Sequence, residues 1–299
     1  MTSAAAGPAR FVLQVSTADW SGGAERVAWN LFNGLRARGD RCQMAVGFKR
    51  SGDPDVFTVS PEAGHPWRRF WNAAADEVLE RFRGFRGAGR LSLYARRVAA
   101  PASLLDWLRG RENHRFPGTW SLPSRAAAVP DLIHAHNLHG GYFDLRALPH
   151  LSRQVPTVLT LHDTWTFTGH CSYTLDCERW RSGCGQCPYL DTHPPVLRDA
   201  TAHNWALKKG VYERSRLWVA TPSRWLLDKA EQSILAPALQ ASRVIPNGVD
   251  LDRFHPRRRA EARAVLRPTL GAPPEATVWL LAGSGFRRKG LAVALQALA

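Results

Sequence analysis

The sequence predicts an α/β fold of the Rossmann type, and three observations carry that prediction. The chain opens in the order strand, glycine turn, helix, strand, between Phe11 and Gly47. Two further runs with the character of central strands, Asp131–His134 and Thr157–His162, lie in its middle. A second α/β unit begins at Thr277. Strands separated by helical crossings, not by two-residue turns, are the mark of a parallel sheet.

In chain order, Phe11–Ser16 reads as a buried strand, and the turn Thr17–Gly23 leads into a helix from about Ala24 to Arg38. Val27, Ala28, Leu31 and Leu35 recur on one helical face, and Gly39 is a natural stop. Cys42–Gly47 is a second short apolar run. Residues 67–85 and 91–111 have helical character and carry many arginines, and Pro117, Pro123 and Pro130 break the stretch that follows. A helix is expected between the two central strands. Leu217–Thr221 is a further strand, with a helix from about Trp225. Val244–Asp250 is a turn-rich crossing that Pro256 and Arg257–Arg259 end. The last unit reads as a strand, Thr277–Ala282, then Gly283 and Gly285, then a helix with Leu291, Leu295 and Leu298 on one side. A lone βα unit cannot bury its own faces, so this second domain is expected to be cut short. The expected division is a first domain over 1–245, a linker over 246–275 and the start of a second domain over 276–299.

The 299 residues, 44% hydrophobic, suffice for a substantial core or for two domains. With 12 Trp, disorder of the whole chain is excluded. Lys and Arg total 40 against 25 Asp and Glu, a formal charge of +15. Only Lys49, Lys208, Lys209, Lys229 and Lys289 are lysines; the rest of the basic set is arginine, which suits bidentate phosphate recognition. Such an excess favours anionic partners (nucleic acid, a nucleotide-linked substrate or an acidic membrane surface) without choosing among them. No stretch approaches the roughly 18 apolar residues of a membrane span. The N-terminus lacks the basic start and apolar core of a secretory signal, so a cytoplasmic location is expected, and structural disulfides are not.

Three features bear on chemistry. In the turn Trp20–Glu25, Gly22 and Gly23 let the backbone approach a ligand, and the helix start offers N–H groups to an anion. The glycines alone also suit an ordinary tight βα turn, and they do not form the GxGxxG dinucleotide fingerprint. His162 and Asp163 follow a central strand, at the carboxyl edge where ligands bind open α/β sheets. A histidine there can act in acid/base chemistry or hydrogen-bond a sugar hydroxyl, although a lone one is more often structural. His134, His136 and His139 form a second cluster, to which packing or loop roles fall.

Together the motifs resemble glycosyltransferase family 4, the retaining two-domain GT-B enzymes. The resemblance rests on Ser21–Glu25, Asp131–His136, Thr157–Asp163, Thr221–Arg224, Val244–Asp250 with Phe254, and Gly283–Gly290, in order from residue 11 to 299. It implies a GT-B fold, two Rossmann-like domains facing a cleft. It also implies transfer of a sugar from a nucleotide-sugar donor to a carbohydrate or lipid-linked saccharide acceptor, with retention, in surface polysaccharide or lipopolysaccharide synthesis. Gly22 and Gly23 would lie near the donor diphosphate, His162 (with Asp163 as its catalytic neighbour) beside the transferred sugar, and Arg288 and Lys289 would clamp the diphosphate. Fixed cations and helix-start amides stabilise the charge that grows on a leaving diphosphate. Many relatives carry an Arg where this chain has Ser284; a variant resembling lipopolysaccharide-core glucosyltransferases keeps the Arg-Lys-Gly order seen here. No catalytic base and no cofactor for catalysis is implied, because the departing phosphate helps deprotonate the acceptor. The family's Glu-x7-Glu pair falls later than Ala299, so the chain by itself is expected to lack transfer activity.

Cys171, Cys177, Cys184 and Cys187 place four thiols within 17 residues of the loop 163–190, the ligand count of a structural zinc site. The closing CxxC is typical and the first pair is wide; four free thiols are the alternative. Family members of exopolysaccharide or colanic-acid-like synthesis look similar here. The stretch Arg81–Arg90, with Tyr94, Arg96 and Arg97, mixes basic and aromatic side chains. It suits peripheral contact with an anionic membrane on its inner face, or a solvated arginine-rich face. No nucleic-acid-binding module is recognisable, so nucleic acid is not expected as a partner. The competing reading is a basic, zinc-stabilised binding protein for anionic partners, without enzymatic activity.

Overall fold

β1 (Phe11–Ala18) is buried on both faces and lies inside the sheet of the first unit. In the computed structural model the described residues are 9–59, 66–82, 85, 101–283, 286 and 289–298. The chain divides into two units, Met1–Asn247 and Gly248–Ala299. The first holds β1, β2 (Arg41–Phe48), β3 (Val56–Thr58), β4 (Leu132–Ala135), β5 (Thr157–Thr160), β6 (Leu217–Thr221) and β7 (Leu239–Val244). Their order is β3-β2-β1-β4-β5-β6-β7, and every pairing is parallel. The α/β class read from the sequence is therefore observed, with the strand order of a doubly wound sheet.

Side chains along β1 alternate between two cores, as the pleat requires. Val12 joins Phe32, Met44 and Val46 on one face, and Leu13 and Val15 join Ile133, Leu159, Trp165 and Tyr212 on the other. The first face is covered by α1 (Gly23–Ala37). Its buried residues are Ala28 and Phe32, with Leu35 packed beside them, while Leu31 is exposed. The buried stripe thus runs at positions 28, 32 and 35, not through Leu31 as the periodicity suggested, because the large Phe32 ring sets the rotation of the helix. Gly39 ends α1 with φ +90°, a conformation a side chain would strain.

Among the described residues the remaining α-helices of the unit are α2 (Pro66–Arg81), α3 (Pro101–Leu108), α4 (Leu122–Arg125), α5 (Leu148–Gln154), α6 (Thr201–Tyr212) and α7 (Arg224–Glu231). The helix expected between the central strands is the short α5, which packs on α6. Ser223 caps α7, its Oγ accepting from the Leu226 N–H. β3 has three residues and β7 alternates polar and apolar at the sheet edge, so neither carried a central-strand signal. In the second unit, α8 (Arg259–Thr269) occupies part of the stretch read as a linker, and α9 (Leu291–Leu298) is helical as expected. Residues 277–282, expected as a strand, form no ladder among the described residues. A strand is stable only when a neighbour pairs its N–H and C=O groups.

Candidate active site

The chain reverses direction of progress across the sheet between β1 and β4. At such a switch point, beyond the carboxyl ends of the strands, open α/β sheets bind their ligands. Three loops meet there. The β1 loop carries Gly22 and Gly23, the β4 loop His136 and His139, and the β5 loop His162 and Asp163. The first two are tied together by Thr17, whose Oγ1 donates to the carbonyls of Asn137 and His139 at 3.2 and 3.3 Å. Gly140, at φ +101°, lets the second loop turn against Thr17; a Cβ there would stand 2.8 Å from Thr17 Cγ2.

His162 is partly exposed, and its Nε2 lies 3.0 Å from Nδ1 of the fully buried His136. His136 Nε2 is 3.0 Å from Gln14 Oε1, which can only accept. His136 therefore carries its proton on Nε2. Burial pushes its pKa well below the usual histidine value, so it is neutral and its Nδ1 accepts from His162 Nε2–H. The Gln14 amide also faces His134 Nδ1 at 3.5 Å, and His134 Nε2 meets Thr160 Oγ1 at 2.8 Å. With this amide orientation the chain of groups leaves Nδ1 of neutral His162 as a lone pair. Burial lowers the His162 pKa, opposed by the charges of Asp163 and Glu25. His136 and His162 also stack, with ring centroids 5.4 Å apart.

Asp163 is held between two partners. One carboxylate oxygen lies 3.0 Å from His139 Nε2, and the other accepts from the Trp165 N–H at 2.9 Å. It anchors the β4 loop to the β5 loop. Beneath it, Lys208 of α6 is completely buried. Its ammonium donates to the carbonyls of Trp165 and Thr168 at 2.9 and 3.0 Å and to Glu112 Oε1 at 3.1 Å, and sits 3.7 Å from the Trp165 ring centroid. Trp165 Nε1–H donates to the same Glu112 oxygen at 2.6 Å. Burial raises the Glu112 pKa and lowers that of Lys208, and each charge opposes the shift of the other. This pair braces the first turn after Asp163.

At the start of α1, Gly22 is extended and its N–H donates to Glu25 Oε2 at 3.1 Å. A Cβ on Gly22 would come within 2.6 Å of that oxygen, whereas nothing lies within 4 Å of one on Gly23. The close-approach argument therefore applies to the space before Gly23, and Glu25 already holds one of the helix-start N–H groups.

A family model for glycosyltransferase family 4 matches residues 21–253. The chain belongs to glycosyltransferase family 4. A relative in Escherichia coli (strain K12), WcaC, provisionally named a colanic acid biosynthesis glycosyl transferase, is 34% identical over 135 residues. That alignment covers 42% of this chain and 32% of the relative, so the chain matches about a third of that protein's length.

Within this family 4 chain, Gly22, Gly23, His162 and Asp163 all lie in the segments that follow β1 and β5 at the switch point. Lys289 lies in the second unit, exposed, with its Cε 3.2 Å from where a Cβ on Gly283 would stand. Arg288 lies outside the described residues, as does most of the stretch from Arg81 to Arg97. The four cysteines of the 163–190 loop line one small pocket. Gln14, Glu112 and Lys208 were not singled out from sequence. Gln14 carried one local signal, a polar residue in an otherwise apolar strand. Among the described residues no helix is long and apolar enough to cross a membrane.

Proposed function

We propose that this chain serves a retaining glycosyltransferase that moves a sugar from a nucleotide-sugar to a saccharide or lipid-linked acceptor in surface polysaccharide synthesis. One observation carries the reading. His162 stands at the switch point of the sheet, neutral and with its ring orientation set by His136 and Gln14. A neutral imidazole with a fixed lone pair accepts a hydrogen bond from a sugar hydroxyl and orients the ring without contributing a competing charge. The α1 start at Gly23 would face the donor diphosphate, and Arg288 and Lys289 would add cationic charge to it. As the glycosidic bond breaks, the leaving diphosphate gains charge and helps take the proton of the acceptor hydroxyl on the same face. Asp163 holds the loop that presents His162, and no step requires it as a base. The relative's name, tied to colanic acid biosynthesis, supports a role in polysaccharide synthesis.

The test is transfer from UDP-, GDP- or ADP-sugars in the intact protein, with nucleotide affinity followed separately. His162→Ala should lower kcat by about 10²-fold or more with little change in nucleotide affinity, the pattern of a contact made mainly in the transition state. Parental kcat in that variant would remove His162 from the site. Stabilisation by a short DNA duplex and by no nucleotide-sugar would favour the non-enzymatic binding protein instead.

A further inference from the structure

The segment from Asp163 to Ala200, between β5 and α6, has no regular structure among its residues beyond the single turns Trp165–Phe167 and Arg179–Arg181. Nevertheless it buries Trp165, Phe167, Trp180 and His170. A long loop without its own ladder of hydrogen bonds needs another source of order. Its four cysteines, all unpaired, line a pocket of about 20 Å³, which is room for one small ion.

We propose that this pocket binds one structural zinc ion through the thiolates of Cys171, Cys177, Cys184 and Cys187. The four thiols line one pocket, and electrostatic coupling links most of them. Cys171 is within electrostatic reach of Cys177 and Cys187, Cys184 of Cys171 and Cys177, and Cys187 of Cys177. Two groups beside the pocket favour thiolate over thiol. The Gly169 N–H donates to Cys184 Sγ at 3.2 Å, and the buried Lys208 ammonium is within reach of Cys171 and Cys184. Hydrogen bonds to ligating sulfur and a nearby cation offset the charge of four thiolates around a divalent ion. His170 is a fifth group at the pocket. Its Nδ1 lies 2.9 Å from the Pro194 carbonyl and its Nε2 3.6 Å from Cys187 Sγ.

Among the described residues no group of three or more His, Cys, Asp or Glu side chains is already arranged to hold a metal ion. Binding would have to draw the sulfurs inward, and one change of χ1 moves a thiol sulfur by roughly 3 Å. The balance is one zinc ion bound and four thiol protons released to solvent, with no change of oxidation state. The site would also steady the β5 loop. The Cys171 carbonyl accepts from Thr164 Oγ1 at 3.2 Å and from Thr168 Oγ1 at 2.7 Å, and Thr164 follows Asp163 directly.

Protein purified under reducing conditions without chelator should contain about one zinc per chain by mass spectrometry of the metal. A strong chelator should remove it and lower the melting temperature. Cobalt substitution of the unmutated protein, which avoids any folding defect, should give sulfur-to-cobalt charge-transfer bands with the d–d bands of a tetrahedral four-sulfur site. Cys184→Ser and Cys177→Ser should lose the metal, while His170→Gln should keep it. Metal-free protein whose melting temperature ignores the chelator would overturn the proposal. So would disulfides among these four cysteines, or loss of metal in His170→Gln with retention in Cys177→Ser. Metal content and sugar transfer are separate readouts, so failure of one reading leaves the other standing.

Discussion

Gln14 and His136 decide how His162 is protonated, and both are fully buried. Gln14→Leu would leave His136 Nε2–H without its acceptor, and an unsatisfied buried donor costs about 1–3 kcal/mol. Urea unfolding should show that loss. The pH profile of kcat should also change, because the proton positions along His136 and His162 are no longer set; a variant that alters stability alone would confine Gln14 to packing. Burial pushes His114 and His134 each down to about 4. In the unfolded chain a histidine takes its proton near pH 6.5, so there the unfolded state binds more protons below that pH. Stability should be full above pH 7 and fall as pH drops from about 6.5 toward 4. Each of the two histidines contributes on the order of 3 kcal/mol to that loss. His134→Gln should flatten the slope, and an unchanged slope would show that other groups set it. Of these residues, His162 was legible because it follows a strand. Its link to Gln14 was not, since 148 positions separate them and only pairing β1 with β4 beside β5 brings them together.

At the scale of single elements, α1 and α6 show where periodicity stops being informative. The α1 pattern contained two overlapping apolar stripes, and the one with Phe32 won because that ring fills the space over Val12 and Met44. Phe32→Ala should cost about 3–5 kcal/mol, while Leu31→Ala, on the exposed side, should cost little. Equal losses in urea titrations would refute the observed rotation. In α6 the buried face includes Lys208, which no hydrophobic pattern would place inside. Lys208→Met should destabilise by about 3–5 kcal/mol by leaving Glu112 buried without its cation. Adding Glu112→Gln should recover part of that loss in a double-mutant cycle, and no recovery would mean the pair is not coupled. β7 escaped notice for the opposite reason, since an edge strand faces solvent on part of its surface and carries little apolar signal.

For the whole molecule, the boundary between the units falls at Asn247–Gly248, and Ile245, Val249, Leu251 and Phe254 around it are exposed. Brief trypsin treatment should cut first at Arg253 or Arg257–Arg259 and release the first unit, with its cooperative melting transition retained. Early cleavage inside β4 to β6 would contradict that division. The sequence by itself determined the α/β class, the positions of β1, β2, β4, β5 and β6, and the family, because each rests on short-range order: strand runs, a glycine turn, and motifs whose spacing survives in one dimension. Only the tertiary structure decided the strand order, the rotation of α1, the Lys208–Glu112 brace under Trp165, and the path from Gln14 through His136 to His162. Each of those depends on which distant residues share a buried space. Burial changes the meaning of a polar side chain, because out of water each donor, acceptor or charge must find its partner inside the protein.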